Sequence, residues 1–517
     1  MSTVHVGFEK DLKFTLSHNG RALVCRHAPV NWDEAFITWE RSERYHGLFR
    51  SYSQKLKFVK DGAYFLRRCF YAENRRTRAE CTLKVEKIDR MTLDWEEVFT
   101  GDCDFSTFTD QRDFVTITVN EGGLVKYLKL YEDTEYDVSL SATFNYTDPV
   151  AGVFVCKYNS YYDILYYILE KMTGNRISST EYLMDLGFIA DYVNTRGLTT
   201  GRGIRTPSDY TGTYTFKMSF ARLMTDLMRQ NCAGVTIAKV GGKDCLKVDY
   251  LYNIYDSTTE VYDLGEVRDL IISVQEKLLF NQIEVGSDDP SYRNASTYHE
   301  FCCKSIFHTP QLMSNDKLDL TCNIRTDFTG VLDVMLTPDD GADDEEIYHV
   351  ALYYDGSYYR PLQGWVKKLT EVPWQKAYNV PYSPARCLAR WQRYIDGCHD
   401  GFAGEEITLE ASGLDNMNNE TDGGGLPGSD TVLEDYPYVI AGDKLFLPYL
   451  FKFEAPAGYE FLKAMQANQL GYVKFTYLGN DFTGFLQEGN VTLAAKGIID
   501  FTLLACPGNN LTKLIRV

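Results

Sequence analysis

The stretch that decides the fold is KLKFVKDGAYFLRR, Lys55 to Arg68, because its pattern returns near the other end of the chain as YLFKFEAPAGYEFLK, Tyr449 to Lys463. In the first copy, Tyr52 and Leu56-Lys57-Phe58 precede Gly62-Ala63-Tyr64-Phe65-Leu66-Arg67; Phe99-Thr100-Gly101 and Asp113-Phe114-Val115-Thr116-Ile117 follow. In the second, Tyr449 and Phe451-Lys452-Phe453 precede Gly458-Tyr459-Glu460-Phe461-Leu462-Lys463; Phe482-Thr483-Gly484 and Asp500-Phe501-Thr502-Leu503-Leu504 follow. The order is kept while the spacings differ. Each copy reads as a strand, a short helix or turn with Phe-Leu on its apolar face, a hairpin bending at Thr-Gly, and a closing strand. That is one compact β unit used twice, and it predicts similar folds around Gly62 and Gly458.

Around the first copy the pattern from Lys55 to Val119 is mostly of period two, in LKFV, AYFL, CTLKVEKI, WEEVF and FVTITV, with Gly, Asp, Asn or Thr between the runs. Near Tyr161 the period lengthens: Ile164, Leu165, Ile168 and Leu169 share a helical face, and Thr173-Gly174-Asn175 ends it. A second helix is expected over Phe220 to Arg229, capped by Ser219 and burying Leu223, Met224, Leu227 and Met228. A hairpin follows, VTIAKV and CLKVDYLY about the turn Gly241-Gly242-Lys243-Asp244. The segment Ser412 to Asp430 (SGLDNMNNETDGGGLPGSD) is nearly empty of large apolar residues and reads as a connector. The expected fold is mainly β with an α+β middle region, in several domains of β-barrel or sandwich type, with two similar barrel domains near the ends. The divisions are 1–145, 146–285, 286–411, a linker at 412–430, and 431–517. A chain of 517 residues exceeds one ordinary core and fits three or four domains of about 100 to 150 residues.

Composition sets the class. The chain is 44% hydrophobic and 24% charged, which is globular rather than disordered. Its 37 Tyr and 29 Phe suit pleated surfaces and interface cores. A net charge of −19 repels a phosphate backbone and argues against general nucleic-acid binding. The basic run Arg67 to Arg78 (RRCFYAENRRTR) reads as a solvated strand edge or loop. The start, MSTVHVGFEKDLKF, breaks its apolar residues with charges and does not resemble an export signal. The longest apolar segments, around Tyr161 to Leu169 and Lys444 to Phe453, are too short and interrupted to cross a bilayer. The 13 Cys lack repeated spacing and read as buried reduced thiols of a protein made in a cytoplasm.

Motifs for chemistry are weak. Gly201-Arg202-Gly203 lacks the preceding buried strand and remaining spacing of a nucleotide loop, and reads as a mobile loop. His299, Cys302, Cys303 and His308, and likewise Cys387, Cys398 and His399, lack the paired spacing that converges on zinc. The acidic run Asp339 to Glu346 lacks the alternating ligands of a calcium loop. Carboxylate pairs such as Asp94 with Glu96, or Glu405 with Glu406, arise by chance among 72 acidic residues. The reading is therefore a non-enzymatic structural protein with no catalytic, cofactor-binding or metal residues assigned. The exposed aromatics of Tyr353 to Tyr359 (YYDGSYY) give the alternative, a carbohydrate- or receptor-binding module. A cell-wall or polysaccharide hydrolase is the third reading.

The runs YHGLFRSYSQKLKFVKDGAYFLRR (Tyr45 to Arg68), NQIEVG (Asn281 to Gly286), FLPYLFKFEAP (Phe446 to Pro456) and GYVKFTYLGNDFTGFL (Gly471 to Leu486) resemble structural proteins from the tail-gene regions of phages infecting Bacteroidetes. The resemblance touches both ends and the centre, about half the chain, without a diagnostic motif. It implies a tail hub or baseplate protein: β-barrel domains around a channel, often trimeric, linking tube, fibres and puncturing device. No active site comes with it. The partners implied are further copies of the chain and other tail proteins, in a virion made in the host cytoplasm, with phage DNA passing the channel without specific binding. Three subunits with two similar units each would close a ring of approximate sixfold symmetry, which suits a joint between a threefold tip and a sixfold tube.

Overall fold

A computed structural model describes residues 11–72, 80–88, 93–148, 152–187, 194–205, 214–287, 305–308, 316–326, 346–368, 375–382, 384–398, 410–412, 417–422, 444–492 and 497–514. The protein is mainly β and multi-domain, with several sheets, one of them nearly closed into a barrel-like form. In the first unit the strand Ser53–Val59 turns Leu56 and Phe58 inward and feeds directly into the helix Lys60–Ala72. The strands Thr82–Ile88, Trp95–Asp110 and Phe114–Glu121 then pair in succession, and the last returns to pair with Ser53–Val59. AYFL, counted among the period-two runs, lies within that helix, as the short helix or turn read for each copy requires. Gly62, Ala63, Leu66 and Cys69 are its buried residues, a spacing that suits 3.6 residues per turn and not two.

The second unit repeats this plan. The strand Tyr449–Ala457 leads to the helix Tyr459–Ala467, then Tyr472–Tyr477, Asn480–Thr492 and Gly497–Ala505 pair in succession, and the last returns to Tyr449–Ala457. The Phe-Thr-Gly echo holds in register, but neither Thr-Gly pair bends a hairpin as expected: both lie within long strands, Trp95–Asp110 and Asn480–Thr492, and the second unit turns at Leu478-Gly479, both at positive φ. Phe99, Thr100 and Gly101 face Val85, Lys84 and Leu83; Phe482, Thr483 and Gly484 face Phe475, Lys474 and Val473. The helices agree too, since Leu66 and Cys69 of one, and Leu462 and Met465 of the other, are buried three residues apart. The Asp113 and Asp500 matching, however, is one residue out. Phe58 pairs with Val115, and Phe453 with Phe501, so Val115 corresponds to Phe501. Phe114 lies on the other face beneath the Lys57 ammonium, because a one-residue slip exchanges the faces of a strand.

The two units are fused. Strand Phe36–Arg41 pairs on one side with Leu48–Ser51 and on the other with Asn480–Thr492, setting Trp39 opposite Gly489. From the second unit's helix, Gln466 Nε2 donates to the Val98 carbonyl of the first unit at 2.8 Å. Trp39, Phe58, Phe99, Phe451 and Phe475 lie in one continuous core. The strands Glu260–Glu266 and Ile271–Val274, from the middle of the chain, extend the second unit's sheet on either side.

The middle is α+β, as expected. Helix Tyr161–Thr173 starts at Ser160, whose side chain accepts from the Asp163 amide, and stops at Gly174 in the left-handed region. Helix Phe220–Asn231 starts in the same way at Ser219 and runs two residues beyond the expected end. The hairpin is tighter than read: Gly241-Gly242, both at positive φ, make the whole turn, and Lys243 and Asp244 already pair in the strand. Within the connector at 412–430, Met417–Asp422 forms a strand on Gln363–Lys368.

Candidate functional site

Only some of the candidate motifs lie among the described residues. Contrary to the expectation of a mobile loop with no buried strand before it, Gly201 and Gly203 lie in a short helix, Gly201–Arg205, directly after the buried strand Arg196–Thr200, and a Cβ on Gly203 would meet Leu140 Cδ1 at 2.7 Å. Packing therefore explains the glycine. Cys387 and Cys398 are both buried on the helix Pro384–Cys398, while His399 lies outside the described residues. His299, Cys302, Cys303, the acidic run 339–346, and Glu405 with Glu406 also lie outside them. His308 belongs to strand Ser305–His308. Glu96 bonds to Lys463, across the joint between the two units. Arg67, which opens the basic run, is helical rather than in a strand or loop, and donates to Asp110 at 2.8 Å. Tyr353 to Tyr359 form an ordinary hairpin, held by Asp355 accepting from the Ser357 and Tyr358 amides, with Tyr354 and Tyr358 exposed. None of the eleven described cysteines forms a disulfide. Among the described residues, no helix is long and apolar enough to cross a membrane.

The structure assembles a different set of polar groups at its centre, drawn from five elements. Asp226 comes from the helix Phe220–Asn231, Cys322 from the end of strand Lys317–Cys322, and His349 from strand Ile347–Tyr354. Tyr161 opens its helix, and Tyr382 closes the short turn Val380–Tyr382. All five side chains are buried; Asp226 and His349 have no exposure at all. Asp226, Cys322 and His349 bring one ligand atom each within 4.8 Å of one another.

Each of the three is held from behind. Asp226 Oδ2 accepts from the Ile324 amide at 2.7 Å, and Oδ1 from the Asn323 amide at 3.2 Å. Gln230, one turn along the same helix, donates to Cys322 Sγ at 2.9 Å. His349 Nδ1 lies 2.6 Å from the Tyr161 hydroxyl, which lies 2.6 Å from that of Tyr382. His349 Nε2 points at Asp226 Oδ2 from 3.9 Å, beyond hydrogen-bond distance, and has no partner. Gln230 Oε1 is also buried without one. Burial, followed by the Tyr382 hydroxyl, pushes the Tyr161 phenol well up. Burial, followed by the Asp226 carboxylate, does the same to the Cys322 thiol. With no solvent face, such a set can brace the fold or enclose a small ion.

Sequence reading missed this cluster because its members stand far apart and match no spacing rule. Two signals were present. Asp226 interrupts the buried face marked by Leu223 and Leu227, and His349 interrupts the apolar strand IYHVALYY.

No protein-family model and no curated relative matches the chain. Solved structures similar to it include the 43 kDa tail protein of prophage MuSo2 from Shewanella oneidensis, at 10% identity and a TM-score of 0.40, covering 96% of this chain and 98% of that one. A tail protein from Neisseria meningitidis MC58 is similar at 7% identity and a TM-score of 0.40, covering 96% of both chains. Prophage tail protein gp18 from Listeria monocytogenes EGD-e is similar at 8% identity and a TM-score of 0.36, covering 97% of both.

Proposed function

We propose that this chain is a structural, non-catalytic component of a phage tail tip, a hub or adaptor that joins the tail tube to the tip and its fibres. The observation that carries the reading is the internal duplication. Two units of the same strand-helix-strand-strand-strand plan, with the same pairing order, share one core. A subunit built this way presents two similar but non-identical faces in fixed relation, and three such subunits close a ring with approximate sixfold symmetry around a channel. The resemblance of Tyr45 to Arg68 and of Phe446 to Pro456 to phage tail-gene products supports the same reading. The partners proposed are two further copies of the chain and neighbouring tail proteins, and the location proposed is the virion.

The test is to measure the mass of the purified full-length protein and image it by electron microscopy, together with disrupted particles. A trimeric ring with six similar lobes, present in particles, is the expected result. A strict monomer that never enters particles would sink the proposal.

A further inference from the structure

From the buried cluster we infer that Asp226, Cys322 and His349 form a binding site for a single divalent metal ion, zinc, which ties the helix Phe220–Asn231 to the strands Lys317–Cys322 and Ile347–Tyr354. The donors are one carboxylate oxygen, one sulfur and one imidazole nitrogen, a set that suits this borderline-soft cation. Their ligand atoms, all within 4.8 Å of one another, are close to the separation of about 3.5 Å that neighbouring ligands take around a tetrahedral zinc. Closing on the ion needs shifts of about an ångström.

A second observation points the same way. His349 Nε2 has no exposure, no partner, and is aimed into the cluster at Asp226. A buried imidazole nitrogen left unpaired is costly, and a metal-ligand bond satisfies it. The far side of the ring is already arranged for that role. With Nε2 on the metal, Nδ1 carries the proton and donates to the Tyr161 hydroxyl, which donates to that of Tyr382, which in turn faces the Val350 carbonyl. Asp226 and Cys322 are likewise oriented by the amides and by Gln230 behind them.

Charge closes the case. One carboxylate, one thiolate and one neutral imidazole around a divalent cation sum to zero, as a site without solvent requires. Binding replaces the Cys322 thiol proton, which leaves to solvent as the ion enters during folding.

The test uses the full chain, purified from cells and also refolded with zinc. Elemental analysis should read about one zinc per chain, and X-ray absorption at the zinc edge should show one sulfur and at least one imidazole nitrogen. Protein refolded with cobalt should show a thiolate-to-cobalt charge-transfer band that Cys322→Ser abolishes and Cys387→Ser, at a buried thiol outside the cluster, keeps. Zinc at background in both preparations would overturn the inference. So would a zinc shell of sulfurs only, or a cobalt band that survives Cys322→Ser. The absorption measurement on the unaltered protein decides the matter even if the variants do not fold.

Discussion

Lys463, on the helix of the second unit, donates to the Glu96 carboxylate, on the longest strand of the first, at 2.8 Å and across 367 residues of chain. That bond is half exposed and should contribute little, below about 1 kcal/mol. The cohesion lies beneath it, in the shared apolar core that includes Trp39. Lys463→Ala is therefore expected to leave stability nearly unchanged, whereas Trp39→Ala should cost about 3 to 5 kcal/mol by emptying a fully packed site. Denaturant unfolding followed by tryptophan fluorescence and by far-ultraviolet circular dichroism tests the point. If the two units are one cooperative body, both probes move to lower denaturant together in Trp39→Ala; separate transitions would show that the units fold apart.

Gly101 and Gly484 occupy equivalent places, each between two strands of its sheet. A Cβ on Gly101 would lie 2.2 Å from the Phe99 ring and 2.5 Å from the Asn120 carbonyl oxygen. On Gly484 it would lie 2.7 Å from Leu503 Cβ. Alanine at either site should destabilise by about 1 to 3 kcal/mol through overpacking, more at Gly101, where backbone cannot give way. Gly508→Ala, with open space around it, is the control and should be neutral. A denaturant midpoint unchanged in either core variant would argue against their equivalence.

How much of this was legible in the sequence depends on the range of the interaction. Phe99-Thr100-Gly101 and Phe482-Thr483-Gly484 are legible as counterparts because each pairs locally with the strand just before it, whereas a Thr-Gly pair alone does not distinguish a bend from the interior of a long strand. The match of Asp113 with Asp500 failed by one residue because the face a strand turns inward is set by its partner, Ser53–Val59 or Tyr449–Ala457, more than 40 residues away. The caps at Ser160 and Ser219 were readable for the same local reason. AYFL carries two readings, period two and the short helix or turn of the repeated unit, because four residues fit either; Leu66 and Cys69, three apart on one face, decide for the helix. Least legible was the cluster of Asp226, Cys322 and His349, whose convergence is a product of tertiary structure alone.

His46 should make the protein acid-sensitive. Its ring packs edge-on to Trp391 and Tyr394, and its carbonyl accepts from Arg41 at 2.8 Å. Burial, followed by the Arg41 charge, lowers its pKa from 6.5 to about 4. As pH falls the unfolded chain takes up this proton first, so the stabilisation is complete above pH 6.5 and is lost between 6.5 and about 4. Discounted for partial exposure, the loss is on the order of 2 kcal/mol. Unfolding midpoints measured across that window should fall more steeply for the unaltered protein than for His46→Gln; parallel curves would remove His46 as the cause.

Asn379 offers the sharpest test of the buried centre, because one side chain there satisfies three backbone groups. Its Oδ1 accepts from the Ala351 amide at 2.9 Å, while Nδ2 donates to the His349 carbonyl at 2.8 Å and the Thr326 carbonyl at 3.1 Å. Its own backbone lies at φ +56°, a region asparagine tolerates better than most residues. Asn379→Ala loses the bonds and adds strain, and should cost about 3 kcal/mol or more. Asn379→Gly loses the same bonds without the strain, so the difference between the two variants isolates the backbone contribution, about 1 kcal/mol. Asn379→Asp keeps the acceptor toward Ala351 but turns a second oxygen on the two carbonyls. It should therefore be destabilised at neutral pH and recover in part when acid protonates the carboxyl to restore a donor. Thermal melts of the three variants at neutral and mildly acidic pH separate these effects, and an aspartate variant indifferent to pH would show that the contacts to His349 and Thr326 contribute little.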